Sequence, residues 1–440
     1  MLGSSLKLWP MRINDRIAAA AIGYRAAMSA TRSPSAQADL LIIGGGPAGM
    51  MTGLLFARAG CTVRVLEKHA DFFRDFRGDT VHPSTMEILD QLGLLQRFLM
   101  RPHSRVDRAE IRLAGRDWTI GDLSHLDTPA PFIAFMPQWE FLDFLRKEAE
   151  AFPGFQLEMN APVESFLQEE GRVVGVLRAD GTRLQARLTI AADGRSSLVR
   201  RDNILPVETL GAPMDILWFR VGKTTNSGGV LRGSFERGRL VVLIDRGDYW
   251  QCALVIPKGG VAALKAKGLD HVRGLIAGAV PDLELGEIDG FDDFHLLSVA
   301  LDRLSRWHRP GLLAIGDAAH AMSPIGGVGI NLAIQDAVAA ANALAQPLAA
   351  GANVDALLPA VQKRRLLPTR IVQRAQKIAQ DRVIGRLLEP GEPIATAALP
   401  IRLLDRFPRL RRIPGRAIGL GVRRERVRSP SATHQPPSSG

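Results

Sequence analysis

Residues Leu41-Ile42-Ile43 run directly into Gly44-Gly45-Gly46-Pro47-Ala48-Gly49, and this junction restricts the possible folds of the chain more than any other stretch. The GxGxxG spacing follows a short apolar run, Asp39 to Ile43, and opens a helix expected to reach about Ala59. Such a run suits a parallel strand covered on both faces, and a second strand over Thr62 to Glu67 completes a βαβ unit. Gly44 permits the tight turn, Gly46 lets a pyrophosphate approach the backbone, and Gly49 lets the helix pack against the strand. Pro47 and Ala48 fall in the first turn, where free amides and the positive dipole end favour phosphate. Glu67 closes the second strand roughly 20 residues on, where an acid accepts hydrogen bonds from adenosine ribose hydroxyls; Lys68 beside it joins the cofactor-binding candidates. The fingerprint leaves FAD and NAD both open.

The 440 residues, 46% hydrophobic and 23% charged, have the composition of a globular protein of two or three domains. Cys61 and Cys252 stand far apart, so neither a disulfide framework nor a cysteine metal site is readable, no metal is expected, and a reducing, cytoplasmic setting fits. The net charge of +11 is concentrated between Arg402 and Arg428, where Asp405 and Glu425 are outnumbered. A solvated basic helical face is the expectation there, ahead of peripheral membrane contact, and a nucleic-acid partner is not expected. The uncharged run from Leu40 to Ala57 does not read as a membrane span, because three glycines and a proline interrupt it.

Two further segments resemble a family. Gly316-Asp317-Ala318-Ala319-His320 continues through Pro324 into Gly327-Val328-Gly329-Ile330-Asn331. Asp193-Gly194-Arg195-Ser196-Ser197-Leu198-Val199-Arg200, directly after the apolar strand Leu184 to Ala192, gives DGxxSxxR. Together with the fingerprint these resemble the class A, single-component FAD-dependent aromatic hydroxylases, of the 4-hydroxybenzoate hydroxylase-like and ubiquinone-pathway types. Arg77, leading into the helix after His82-Pro83, resembles the family's flavin-side arginine, and Gln138 a polar residue facing the ribityl or phosphate portion.

The resemblance implies an FAD monooxygenase that takes NAD(P)H transiently, adds O2 to reduced flavin as a hydroperoxide, and hydroxylates an aromatic or phenolic small molecule. It implies that Gly316 and Asp317 meet the ribityl chain and that Pro324 passes the reactive edge. The backbone of Gly327 to Asn331 would face the pyrimidine side, and Asp193, Gly194 and Arg200 would serve FAD and NAD(P)H. His320 reads as structural. No catalytic base is identified; His82, His103 and His125 qualify by residue type only. No second GxGxxG unit and no redox-active cysteine pair is present in the sequence, which argues against disulfide reductases. A flavin halogenase is an alternative, although Trp250-Gln251-Cys252-Ala253-Leu254-Val255-Ile256-Pro257 lacks the second tryptophan of Trp-x-Trp-x-Ile-Pro. A prenyl-lipid reductase or a non-catalytic flavin binder are others.

The expected architecture is α/β. A Rossmann-like FAD-binding domain (38–205 and 296–346) is interrupted by a mostly antiparallel substrate domain (206–295). A basic helical region (347–428) follows, with terminal stretches 1–37 and 429–440 outside the fold. Trp218, Phe219 and Trp250 in the substrate domain suit either core or an aromatic pocket. The sequence leaves oligomeric state open.

Overall fold

The structure, a computed structural model, describes residues 37–73, 80–223, 231–246, 248–281, 283–286, 288–389, 391–392 and 394–432. The N-terminal stretch to residue 36, the candidate Arg77 and the last eight residues lie outside them.

Strand β1 (Ala38–Ile43), helix α1 (Pro47–Arg58) and strand β2 (Val63–Leu66) form the expected βαβ unit. Helices α2 (Pro83–Gln91) and α3 (Gln138–Glu150), then strands β3 (Phe155–Glu158) and β4 (Arg183–Ala191), follow in the chain. β5 (Leu312–Ala314) returns to the same sheet, whose parallel part runs β5-β4-β1-β2-β3, with His308–Arg309 added antiparallel to β5 and the hairpin of Val163–Glu169 and Arg172–Arg178 added antiparallel to β4. Leu40, Leu41 and Ile42 are fully buried because β1 lies between two strands with helices on its faces. That environment explains an uninterrupted apolar run where a half-exposed strand would alternate.

Helix α4 (Gly329–Ala349) packs along α1, and α5 (Leu358–Ala379) packs on α4. α4 is long and apolar enough to cross a membrane, but 72% of its apolar window is buried inside the protein, as befits a core helix. α6 (Leu399–Arg406) and α7 (Arg412–Leu420) complete the basic C-terminal region. The α4 helix runs through Pro347 to Ala349, so the boundary expected at residue 346 falls inside its last turn.

The second sheet has the strand order His295–Leu297, Met214–Gly222, Tyr249–Pro257, Arg239–Asp245, Leu231–Glu236, Arg108–Leu113, Arg116–Asp122. It is antiparallel except where Leu231–Glu236 meets Arg108–Leu113. This corrects the expected substrate domain: residues 108–122, assigned to the nucleotide-binding part, belong to its sheet. The hairpin turns at Ala114 and Gly115, with φ of 53° and 71°, the pair of positive values that a tight two-residue hairpin needs. Its buried Leu113 and Trp118 then cover the sheet's end. The tail also starts later than expected, since Asn342 accepts from the amides of Arg428 and Ser429 and Arg58 from that of Ala432.

Gly49 marks where α1 meets the turn before it. A Cβ there would lie 1.9 Å from the Gly44 carbonyl oxygen, whereas one at Gly46 meets nothing within 4 Å. Gly49→Ala should therefore destabilise the FAD-stripped protein by about 1–3 kcal/mol, read as a lowered midpoint in urea. Gly46→Ala should leave that midpoint within about 0.5 kcal/mol of the parent.

Candidate cofactor site

The three motifs meet at the C-terminal ends of β1, β4 and β5, where open α/β sheets bind ligands. Gly44, with φ of 100°, brings its Cα against the backbone of Ala192 and Asp193; a Cβ would stand 2.5 Å from the Ala192 carbonyl oxygen. Gly316 comes equally close to Ala48 in α1 and Ala333 in α4, within 3.0 and 3.2 Å of an added Cβ. The fingerprint, the Asp193 turn and the Asp317 segment thus share one junction. Above Gly46 and Gly194 no protein atom lies within 4 Å of an added Cβ. The open space sits at the N-terminus of α1, whose first residue, Pro47, gives up no needed hydrogen bond there.

Glu67 is buried just past β2, and its Oε2 accepts from the Gly45 amide at 2.8 Å. Its other oxygen accepts from the His69 amide at 3.1 Å, so the carboxylate is fixed beside the turn. Lys68 is exposed. Gln138 opens α3 next to Trp139, whose ring centroid lies 4.9 Å from that of Phe73. Asp193 Oδ2 accepts from the Leu198 amide at 2.9 Å, whereas its buried Oδ1 has no partner among the described residues. Burial raises this carboxyl above its usual range, against the opposing pull of Ser197 and the Leu198 amide. A buried oxygen lacking a partner beside open space fits a polar ligand group.

Two expected cofactor contacts are engaged by protein. Arg200 donates to the carbonyls of Ala318 and Asp317 at 2.9 and 3.1 Å and pairs with Asp302. With its fork turned onto the Asp317 segment, it braces the site instead of reaching a phosphate. Asp317 itself pairs with Arg195 at 3.2 Å and remains about one-third exposed, so its carboxylate keeps acceptor capacity on the open side.

Pro324 leads into a turn in which Gly326 and Gly327 take φ of 79° and 62°, and Val328 precedes the first residues of α4, Gly329 and Ile330. The Asn331 side chain faces inward: its Oδ1 accepts from the His82 amide at 3.1 Å and the Thr85 hydroxyl at 2.7 Å. Thr80 Oγ1 donates to the Gly327 carbonyl at 3.0 Å. No side chain caps the first turn of α4, and Thr80, His82 and Thr85 tie the start of α2 to this loop.

His320 is structural as expected, because its Nε2 lies 2.6 Å from Asp336 in the core. Sequence reasoning missed what surrounds it. Asp336 also receives the Gly316 amide at 3.1 Å and Arg365 Nε at 2.9 Å, and Arg365 reaches Glu425, which pairs with Arg364. Burial alone would raise the Asp336 carboxyl, but His320 and Arg365 bring it below its usual range. The available signal was a lone acid in the apolar helix that the Gly327 to Asn331 segment opens. Of the three histidines singled out by type, His82 belongs to the site: its Nδ1 meets the Ile418 carbonyl at 2.8 Å, and its buried Nε2 has no partner among the described residues. His103 packs between Phe98 and Phe132, outside the motif junction.

Turns of this kind, at parallel strand ends with two helix N-termini, define a dinucleotide-binding oxidoreductase. Residues 37–232 and 280–375 match the family described as FAD binding domain, and the chain belongs to that family and is an FAD-dependent monooxygenase. It is 34% identical over 406 residues to the 6-methylpretetramide 4-monooxygenase of Streptomyces rimosus, covering 90% of this chain and 95% of the relative. It is 27% identical over 331 residues to the para-nitrophenol 4-monooxygenase of Pseudomonas sp. (strain WBC-3), covering 72% of this chain and 80% of that one. The crystal structure of pqsL, a probable FAD-dependent monooxygenase from Pseudomonas aeruginosa, superposes with a TM-score of 0.68 at 23% identity, covering 80% and 98%. That likeness supports the fold.

Burial of His82 pushes its pKa from the ordinary 6.5 down to about 4, against a smaller upward pull from the Ile418 carbonyl. The folded protein therefore binds fewer protons here than the unfolded chain between those values. The histidine's contribution is complete above pH 6.5 and is lost as pH falls toward 4. Urea midpoints of wild type and His82→Asn, whose amide can still donate to Ile418, should differ in slope. Wild type should lose about 2 kcal/mol more than the variant between pH 7.5 and 5.

Proposed function

We propose that this enzyme hydroxylates an aromatic or phenolic small molecule in the cytoplasm, using O2 and NAD(P)H taken up transiently. The convergence of three separated motifs on the unobstructed backbone at Gly46 and Gly194 carries the reading. The pyrophosphate of FAD fits the N-terminus of α1, with Glu67 at the adenosine ribose, Lys68 and Gln138 flanking, and Arg77 on the flavin side. Asp193 and Gly194 would line the same groove, and Asp317 would meet the ribityl chain. The amides from Gly327 to Asn331, at the N-terminus of α4, would stabilise negative charge on the pyrimidine edge.

Bound FAD supplies transfer of two electrons from the nicotinamide to O2, one oxygen atom entering the substrate as a hydroxyl and the other leaving as water. The chain's own contribution is position and shelter. In the strand Met214–Gly222, Phe219 faces the core beneath the helix Leu269–Ala279, with Trp250 packed beside it. Trp218 points to the other face, where Val242, Leu297 and Ile325 of the cofactor loop gather. Its indole Nε1 is buried without a partner among the described residues, which suits donation to an oxygen on a substrate ring held between sheet and loop. Relatives named for nitrophenol and pentachlorophenol support a phenolic substrate.

The test is oxidation of NAD(P)H by the purified yellow protein against a panel of phenols, with 18O2 and mass spectrometry. Substrate-stimulated turnover and a labelled hydroxyl product are expected, and Gly46→Trp should fold without colour. Unlabelled product, or full FAD occupancy in that variant, would overturn the reading.

A further inference from the structure

We infer that the α6–α7 face docks on an anionic lipid surface. Leu399, Leu403, Phe407, Leu410 and Ile413 recur every three or four positions and are exposed, Leu399 and Ile413 by 65% and 68%. They form a ridge of large apolar side chains, and contiguous exposure of this kind marks an interaction site. The opposite face is firmly seated: Ile401 packs against the Leu113–Trp118 cluster, and Asp405 pairs with Arg116 and Arg411. Gly415 lies so close to the Asp122 backbone that a Cβ would fall 1.9 Å from its carbonyl oxygen. The ridge is therefore held outward by packing beneath it.

Charge selects the occupant. Arg402, Arg406, Arg409 and Arg412 lie among the apolar residues, all exposed and none paired with a carboxylate among the described residues. Asp405, the one acid of this stretch, is already engaged. Within α7, Arg416 borders a cleft of about 490 Å³ shared with Arg364 and four arginines from 423 to 428, with Glu425 as its single acid. A second copy docked about a two-fold axis would set arginine against arginine across the ridge. A leaflet of anionic headgroups accepts the apolar side chains at its acyl boundary and the guanidinium groups at its phosphates, the arrangement of an interfacial amphipathic helix.

The experiment is flotation of the FAD-loaded full chain with vesicles of phosphatidylglycerol and phosphatidylcholine, or of phosphatidylcholine alone, at low and high salt. Binding should favour the anionic vesicles by about tenfold or more and weaken with salt. Leu403→Asp with Phe407→Asp, and separately Arg406→Glu with Arg409→Glu, should each reduce it by about tenfold or more, with FAD content and phenol-stimulated turnover in solution unchanged. Equal binding to both vesicle types, or anionic binding that survives both double substitutions, would overturn the assignment. So would a dimer in sedimentation that Phe407→Asp dissociates, because the face would then belong to a second copy.

Discussion

The carboxylate of Asp336 sits on α4 in the middle of the core, and three parts of the chain depend on it. It takes the amide of Gly316 and the ring of His320 from the segment after β5, and the guanidinium of Arg365 from α5. Arg365 is itself fully buried and passes the contact to Glu425 near the C-terminus. An ion in this position is tolerable only with every partner present; removing one typically costs 3–5 kcal/mol because the other charge is left without compensation. The network therefore fixes the spacing between β5 and α4, the two elements whose ends frame the Asp317 segment and the Gly327 loop. The precision of the cofactor groove is inherited from a buried charge cluster some way from its surface.

The groove itself uses backbone more than side chains. Gly44, Gly49 and Gly316 let chain segments approach until no side chain fits between them, while the backbone at Gly46, where α1 begins, stays clear of other protein atoms. Side chains around the opening largely hold one another. Arg200 clamps the Asp317 segment, Thr80 fastens the strand before α2 to the loop before α4, and Thr85 of α2 bonds Asn331 of α4. A positive protein with a helix N-terminus opening on an unobstructed turn suits polyanionic cofactors.

Local backbone requirements were legible in the sequence, and long-range side-chain partnerships were not. The turn at Gly44, the strand before it and the Asp193 turn are written in consecutive residues, so the fingerprint and the nucleotide-binding sheet could be read directly. The hairpin over Arg108 to Asp122 was assigned to the wrong layer because its alternation fits any half-buried strand; its partner, Leu231–Glu236, lies more than a hundred residues away. Arg365 looked like one more cation on a basic helix, and Arg200 like either a phosphate ligand or a partner of surface carboxylates. Their roles are set by Asp336, Glu425 and Asp302, which no local spacing announces.

His82 connects these levels. Its ring meets the carbonyl of Ile418 on α7, its backbone meets Asn331 at the start of α4, and its free Nε2 lies beside Gly327. The neutral ring that burial enforces can donate through Nδ1 to Ile418 while keeping a lone pair on Nε2. α7 carries the end of the arginine-flanked ridge on one side and this contact on the other. Gly415 and Gly419 let α7 sit directly on the Asp122 backbone and on Leu123, Leu126 and Pro83, so one packed helix and one histidine lie between the outer surface and the Gly327 loop.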